Sequence, residues 1–304
     1  MSAATLRSAA GAQPPRYTIV LDGVEITYTD SGGTGPCLVC LHAIGHGARD
    51  FQDLASRLYP SYRVIALDFP GHGSSGADSH SAGAARYEEI VARFVEKLNL
   101  ESLTLLGNSI GGAASIRYAA AHPEQVTALV LCNCGGLDPG GLFARVYIAM
   151  FVRLFAAGSR GAFWFPWVFA RYYRRVLSGE PAREQRDRII QSAYEIAPIL
   201  EQAWRGFGKP DADLRTLLPN IHCPVLLAWA KDDFTNQLKR SGLAFDRFPN
   251  HRLELFEGGH AAFLEDPDRF EQVLRSFLYS GFMGEAGRLR IDRPKSCYLK
   301  FHFG

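Results

Sequence analysis

A serine stands between two glycines in the run Gly107-Asn108-Ser109-Ile110-Gly111, directly after the apolar stretch Leu103–Leu106 and before a helix-forming segment. A sharp turn from strand to helix requires small residues on both sides of the central residue, because larger side chains would collide there. Such a turn presents the serine hydroxyl beside a helix N-terminus, whose dipole favours developing negative charge. The pattern predicts that Ser109 is a nucleophile for acyl transfer. The alternative is a glycine-rich turn that merely contains a serine.

A serine hydroxyl is a poor nucleophile and needs a general base. The run Gly258-Gly259-His260 follows the apolar stretch Leu253–Phe256 and precedes the last helical pattern of the chain. This order puts His260 on a loop at the same edge of the predicted sheet as Ser109. Other histidines are less well placed, since they lie at helix ends or away from the strand ends. His260 is therefore the predicted base.

The base needs a carboxylate that orients its ring. Asp232 and Asp233 both follow the apolar run Val225–Trp229 closely, so either could serve. Asp233 is preferred, because the extra residue lets the chain turn over the end of the strand. The resulting order along the chain, Ser, Asp and then His, is that of the α/β hydrolases.

A tetrahedral intermediate also needs two N–H donors for its oxyanion. The backbone N–H of Ile110, next to the nucleophile, is expected to be one. The other is expected from the loop after the apolar run Cys37–Leu41, where the N–H of Ile44 is preferred over that of Ala43. His42 and His46 have the spacing of a metal-binding pair on a helix, but the neighbouring glycines disfavour a helix. No metal and no cofactor is expected.

The elements that must position these residues alternate along the chain. Tyr17–Leu21 and Glu25–Tyr28 flank Asp22-Gly23, which predicts an antiparallel hairpin. Short apolar runs then alternate with helical patterns whose apolar residues lie three and four positions apart. The alternation predicts a doubly wound α/β fold with a mostly parallel sheet flanked by helices. The strand runs are Cys37–Leu41, Arg63–Leu67, Leu103–Leu106, Thr127–Cys132, Val225–Trp229 and Leu253–Phe256, and the helical patterns are Phe51–Leu58, Tyr87–Leu98, Gly112–Ala121 and Asp268–Leu278.

The alternation stops between residues 135 and 218, where strand signals are missing. Pro166 is placed to start a helix, and Arg183–Trp204 looks helical up to an interruption at Pro198. We interpret this stretch as a helical cap inserted between two strands. The predicted organisation is a core of residues 15–134 and 219–282, a cap of residues 135–218, and a basic C-terminal tail of residues 283–304.

The composition bears on the class of protein. With 33 basic and 31 acidic side chains, the net charge of +2 creates no long-range field for nucleic acid or an anionic membrane. Six cysteines match no zinc pattern and indicate reduced, buried thiols. The first residues lack the apolar core of a secretory signal, and arginines interrupt Val146–Val176 too often for a spanning helix. We expect a cytoplasmic protein with no nucleic-acid partner and no membrane span, and the oligomeric state stays open.

Several motifs stand at the ends of the predicted strands: His42-Ala43-Ile44-Gly45, Asp68-Phe69-Pro70-Gly71-His72-Gly73, Gly107-Asn108-Ser109-Ile110-Gly111-Gly112, Asp233, and Gly259-His260 followed by Glu265-Asp266-Pro267. Together they resemble the α/β-hydrolase superfamily. The resemblance implies the α/β-hydrolase fold, with a helical cap between strands and a serine triad. Haloalkane dehalogenases and epoxide hydrolases share this core but use aspartate where this chain has serine.

The glycine-rich stretch around Ser109, with Gly135-Gly136-Leu137 later in the chain, is similar to the carbon–carbon hydrolases that cleave ring-fission products of aromatic compounds. Those enzymes usually have a glycine-richer oxyanion loop, where this chain has Ala43 and Ile44. They commonly carry tryptophan after the catalytic histidine, where this chain has Ala261.

Three functions therefore stay open. The preferred one is a serine hydrolase that cleaves a carboxylic ester or lactone of an apolar or aromatic small molecule through an acyl-enzyme. The alternatives are a carbon–carbon bond hydrolase of ring-fission dienoates and a non-catalytic ligand receptor on the same fold. Aromatic residues are dense in the predicted cap, and four of them are expected to contact the substrate: Phe151, Phe155, Trp164 and Trp167.

Overall fold

The computed structural model describes residues 14–282, which contain one mixed sheet of eight strands in the order β1-β2-β4-β3-β5-β6-β7-β8. β1 pairs antiparallel with β2 and β2 antiparallel with β4, whereas all other neighbours are parallel. The predicted fold class is therefore confirmed. The strands are β1 (Arg16–Leu21), β2 (Val24–Asp30), β3 (Cys37–Leu41), β4 (Arg63–Leu67), β5 (Leu103–Asn108), β6 (Val126–Cys132), β7 (Val225–Ala230) and β8 (His251–Phe256).

Helices cover the sheet and connect its strands. They are α1 (Gln52–Leu58), α2 (Ala84–Lys97), α3 (Ile110–Ala121), α4 (Leu142–Ser159), α5 (Phe165–Val176), α6 (Arg183–Gln191), α7 (Ala193–Phe207), α8 (Leu238–Ser241), α9 (Ala262–Glu265) and α10 (Pro267–Phe282). The sequence explains how they pack. In α2, for example, Tyr87, Ile90, Val91 and Phe94 follow a three-and-four spacing, and all four are buried.

The central strands of the sheet are shielded from solvent on both faces. Every residue of β5 and of β7 is buried, because helices lie on both faces of these strands. At the edge, the hairpin between β1 and β2 turns through Asp22 and Gly23, whose φ angles of 49° and 80° suit the tight turn that joins twisted strands. The carboxyl ends of β3, β5, β6 and β7 meet along one edge, where the candidate site lies.

Between β6 and β7 the structure places helices α4 to α7. The predicted interruption at Pro198 is wrong: the break lies at Ser192, and Pro198 is inside α7. Proline there still leaves most turns of the helix bonded, since only one N–H is lost and the buried apolar face continues to Trp204. The division into a core and a separate cap stays a prediction, and the C-terminal tail lies outside the described residues.

None of the helices between residues 14 and 282 has the length and apolar character needed to cross a bilayer. In the same range the five cysteines Cys37, Cys40, Cys132, Cys134 and Cys223 are free thiols. Cys40, Cys132 and Cys134 are buried as predicted, whereas Cys37 and Cys223 are only half-buried.

Candidate active site

Ser109 lies in a tight turn between β5 and α3, with φ of 54° and ψ of −115°. A non-glycine residue in such a conformation carries strain of about 1–3 kcal/mol, and only a fixed environment maintains it. Close contacts require the flanking glycines. A Cβ on Gly107 would lie 2.5 Å from the backbone of Gly112, and a Cβ on Gly111 would lie 2.2 Å from Leu41 O. The turn thus holds Ser109, which is buried, at the carboxyl end of β5.

Asp233 is the carboxylate that contacts the histidine. Its Oδ2 accepts a hydrogen bond of 2.8 Å from Nδ1 of His260, and both side chains are buried. Because a carboxylate accepts the proton of Nδ1, the other ring nitrogen, Nε2, is left as the basic one. Asp232 is exposed, and its backbone N–H donates to Gly258 O. The geometry therefore favours Asp233 over Asp232, as the sequence interpretation did.

Thr235 is a neighbour of this pair that the sequence analysis missed. Its hydroxyl donates to Asp233 Oδ1 at 2.6 Å and lies 2.9 Å from His260 Nδ1. Its backbone N–H also donates to Asp233 Oδ1 at 2.7 Å. Burial alone would raise the pKa of Asp233, but the charge of His260 and these hydrogen bonds outweigh it and lower the pKa. Asp233 is thus held as a carboxylate.

Asn133 is a second missed neighbour, directly after β6. Its Nδ2 donates to Asp233 Oδ2 at 2.7 Å, and its Oδ1 accepts from Ala230 N at 3.1 Å. Asn133 also has a positive φ of 43°, a conformation that asparagine tolerates better than most residues. Its position at a strand end, like that of Ser109 and Asp233, is the sequence signal that could have identified it.

The loop of residues 257–261, which carries His260 and is called the histidine loop below, is fixed from two sides. Asn108, beside the candidate nucleophile, donates through Nδ2 to His260 O at 2.8 Å. On the other side, His260 N donates to Val176 O at the end of α5 at 2.7 Å. A Cβ on Gly259 would lie 2.2 Å from that same carbonyl oxygen, so only glycine permits this approach. The loop therefore depends on both the strand that carries Ser109 and a helix from outside the sheet.

Glu265 is a buried carboxylate that connects the loop around His260 to the chain just after α5. It accepts hydrogen bonds from Gly259 N at 2.9 Å and from Ala261 N at 3.3 Å, the residues on either side of His260. It also accepts one from Gly179 N at 2.7 Å, just after α5. Glu265 thus satisfies three backbone donors that would otherwise be buried without partners.

Two neutral histidines shape the loop expected to bind the oxyanion. Nε2 of His42 accepts from Phe69 N at 2.9 Å, and Nε2 of His72 accepts from Gly45 N at 2.9 Å. Burial lowers the pKa of His42 to about 4 and that of His72 to about 3, so both rings are uncharged at neutral pH. His46 instead pairs with Asp50, which explains its position without a metal.

The two N–H groups predicted to bind the oxyanion have no acceptor within residues 14–282. Gly45 N–H is occupied by His72, whereas neither Ile44 N–H nor Ile110 N–H donates a hydrogen bond to another described residue. The two loops also touch, because the Cβ position of Gly111 is 2.8 Å from His42 O. Free donors near a strained serine can stabilise an anion that forms there.

Helices α5 to α7 pack over this loop. The Tyr173 hydroxyl donates to Ile44 O at 3.5 Å, and Arg188 donates to Asp50 at 2.8 Å. A Cβ on Gly45 would lie 3.0 Å from the same Tyr173 hydroxyl. The helices between β6 and β7 thus cover one side of the candidate site.

The four predicted substrate contacts fall into two groups. Phe151 and Phe155 are buried in an aromatic cluster, where the Phe151 ring stacks on Trp204 at 4.4 Å between centroids. Trp164 and Trp167 are exposed at the start of α5. Their exposure gives no support to the predicted contact with the substrate. The cluster does reach the site through Tyr172, whose ring lies 5.1 Å from Phe151 and 5.8 Å from Phe234, the residue after Asp233.

Known proteins resemble this chain over most of its length. A 2-hydroxy-6-oxononadienedioate/2-hydroxy-6-oxononatrienedioate hydrolase of Paraburkholderia phymatum is 27% identical, over 86% of this chain and 95% of that protein. The crystal structure of a membrane phospholipase A, a bacterial virulence factor, is 25% identical with a TM-score of 0.77, over 92% of this chain and 91% of that one. The enol-lactonase of Burkholderia xenovorans LB400 has the same fold, with a TM-score of 0.73 at 19% identity, over 86% of this chain and 100% of that one. The model of the alpha/beta hydrolase family matches residues 38–273, and the chain belongs to that family.

Proposed function

We propose that the protein is a serine hydrolase that cleaves a carboxylic ester or lactone through an acyl-enzyme. The observation that carries the proposal is the buried hydrogen bond between His260 and Asp233. The backbone of His260 is bonded by Asn108, the residue before the strained Ser109. A carboxylate, an imidazole and a serine in this chain order are the groups that nucleophilic acyl transfer requires.

In the proposed mechanism, His260 Nε2 takes the proton of the Ser109 hydroxyl as the oxygen attacks the substrate carbonyl. The N–H groups of Ile44 and Ile110 donate to the oxyanion of the tetrahedral intermediate. His260 then protonates the leaving alcohol, and a water that it activates in turn hydrolyses the acyl-enzyme. Asp233 stabilises the imidazolium form without taking the proton.

The surroundings favour an apolar or aromatic substrate. Phe151, Tyr172 and Phe234 form a continuous aromatic path from the helices over the site to the residue after Asp233. Tyr147 adds one polar group, since its hydroxyl is buried without a partner among the described residues. Burial, with the charge of Asp233, raises the pKa of Tyr147 to about 12, so the hydroxyl stays a donor. We propose that it donates to a polar atom of the substrate.

Carbon–carbon bond hydrolysis is the second candidate. The relative from Paraburkholderia phymatum is named as a hydrolase of dienedioate and trienedioate substrates, at 27% identity. Against this candidate stand Ala43, Ile44 and Ala261, at positions where that class usually has glycines and a tryptophan. A ligand receptor is disfavoured because a receptor needs no base aligned by a buried carboxylate.

The test is steady-state hydrolysis of p-nitrophenyl acetate, butyrate and octanoate, and of a ring-fission dienoate, by the wild type and Ser109→Ala. We expect ester turnover that falls about 10⁴-fold or more in the variant, with an unchanged melting temperature. Ser102→Ala is the matched control, because Ser102 lies at the opposite end of β5. Wild-type turnover of the dienoate alone would assign the second candidate, and undiminished activity in Ser109→Ala would refute the serine mechanism.

A further inference from the structure

Large apolar side chains are concentrated on the outside of α4 and α5. Six of the thirteen exposed large hydrophobic residues in the described chain lie within residues 142–167. Leu142, Val146 and Met150 are one helical turn apart and form a stripe along α4. Phe163 and Trp167, at the turn into α5, are 91% and 73% exposed. Exposed apolar residues clustered in this way mark an interaction surface rather than ordinary scatter. We call this surface, residues Leu142, Val146, Met150, Phe163, Trp164 and Trp167, the outer patch.

The chain around the outer patch carries charge of one sign. Residues 139–179 contain six arginines and neither aspartate nor glutamate. All six arginine side chains are exposed. Among the described residues, none of the six forms an ion pair. Arg175 lies over the ring of Phe234, 5.1 Å from its centroid. The other five are Arg145, Arg153, Arg160, Arg171 and Arg174. The balanced net charge of the whole protein therefore conceals a strongly basic surface.

A groove beside the outer patch is lined by both apolar side chains and arginines. It lies between α4 and α7 and has a volume of about 840 Å³. Ile148, Val152 and Ala156 contribute to its apolar lining, and four arginines also line it: Arg145, Arg153, Arg160 and Arg205. Such a groove is complementary to a molecule with an anionic head and an apolar chain.

We propose that the outer patch docks on the surface of an anionic lipid bilayer. Aromatic and aliphatic side chains insert at the level of the headgroups, and unpaired arginines contact the anionic lipids. No helix within residues 14–282 can cross the bilayer, so the contact is with its surface. A second copy of the chain fits less well, because a symmetric contact would place the arginines of one copy against those of the other.

The docked helix also contacts the candidate site. The carbonyl of Val176, at the end of α5, accepts the backbone hydrogen bond of His260 at 2.7 Å. Trp167 and Arg171 lie on the same helix and face outwards. Docking would therefore bring the side of the protein that covers the candidate site to the lipid surface.

The experiment measures binding of the full chain to sucrose-loaded vesicles by co-sedimentation, with phosphatidylcholine alone or mixed with phosphatidylglycerol. All proteins carry Ser109→Ala, so that hydrolysis cannot alter the lipids. We expect binding to the anionic vesicles at low ionic strength, and at least roughly tenfold weaker binding to pure phosphatidylcholine or at high salt. Fluorescence of the exposed Trp164 and Trp167 should shift to the blue on binding, because Trp204 and Trp229 are already buried.

Two double variants separate the contributions. Phe163→Ser with Trp167→Ser should weaken binding roughly tenfold or more by loss of insertion, and Arg153→Gln with Arg160→Gln should do so by loss of charge. The first control is Leu243→Ser with Tyr279→Ser, at residues that are 72% and 68% exposed. The second is Arg93→Gln with Arg183→Gln, at exposed arginines that pair with Glu96 and Glu180. Both controls lie outside the outer patch and should bind as the parent does. The basic residues after position 283 are present in every variant, so their contribution is constant.

Three results would overturn the proposal. The first is that the parent does not bind anionic vesicles. The second is that the patch variants bind as tightly as their controls. The third is a concentration-dependent dimer in sedimentation velocity that the Phe163→Ser, Trp167→Ser variant loses, which would assign the patch to a second copy.

Discussion

The inner and outer faces of α4 and α5 have opposite properties although they belong to the same helices. On the inner face, Phe151, Phe155 and Tyr173 are buried, and Tyr173 bonds the loop that carries Ile44. On the outer face, Leu142 in α4 and Phe163 in the turn between α4 and α5 are exposed, and the exposed arginines of the same stretch form no ion pair with a described residue. A helix of a globular protein normally places polar residues outside. The outer face therefore departs from what folding alone requires.

Arginines elsewhere in the protein show that the difference is specific to this face. Arg86 is buried and pairs with Asp78 at 2.7 Å, and Arg63 pairs with Asp30 at 2.6 Å. Such pairs offset the loss of hydration when a guanidinium is partly buried. The arginines of the outer face are exposed and form no ion pair with another described residue. We therefore infer that these arginines interact with an anionic partner outside the protein.

The strongest test of the comparison replaces one phenylalanine from each face. Phe155→Ala should lower the free energy of unfolding by about 3–5 kcal/mol, because it leaves a cavity in the aromatic cluster. Phe163→Ala, eight positions along the chain, should change it by less than about 0.5 kcal/mol, because that ring is 91% exposed. Urea denaturation measures both. Similar losses in the two variants would show that the faces do not differ as described.

The second prediction concerns Glu265, which joins the inner side of this region to the histidine loop. Glu265→Gln puts an amide N–H₂ among three backbone donors, so the loop should shift and kcat should fall on the order of 10²-fold. Because Glu265 positions His260 without a proposed contact to substrate, KM should change little. Steady-state kinetics on an ester substrate measures both constants.

Glu257→Gln is the control for that variant, since Glu257 is an exposed carboxylate at the start of the same loop. It should leave kcat unchanged. A lower melting temperature in Glu265→Gln with wild-type kcat at a permissive temperature would restrict Glu265 to a structural role. A rise in KM with unchanged kcat would place it in substrate binding instead.

Much of this arrangement could be predicted from the sequence, because the relevant signals are local. The continuous apolar run before Gly107 identifies a buried strand, and the glycines around Ser109 identify the turn after it. The preference for Asp233 over Asp232 rests on how many residues a chain needs to turn over a strand end. Each of these inferences uses neighbours within a few positions.

What the sequence analysis missed depends on contacts between distant segments. Asn133 and Asp233 meet only because β6 and β7 pair in parallel, and Glu265 acts on Gly179 across the fold. The break at Ser192 was missed because proline is the stronger local signal, whereas tertiary packing kept the turn around Pro198 helical. The outer patch was not predicted, because the density of apolar residues along the sequence is the same whether their side chains face the core or the solvent.

The smallest expected effect belongs to Tyr147, on the inner face of α4. Its hydroxyl is buried without a partner among the described residues, so Tyr147→Phe removes an unsatisfied group and should leave stability unchanged or slightly raised. If the hydroxyl donates to the substrate, KM should rise about five- to tenfold, which corresponds to a hydrogen bond worth about 1 kcal/mol. Tyr118→Phe is the control, because that hydroxyl already donates to Gln125 at 2.5 Å and its loss should lower stability without raising KM. An unchanged KM in Tyr147→Phe would mean that the inner face contacts the substrate through apolar surface alone.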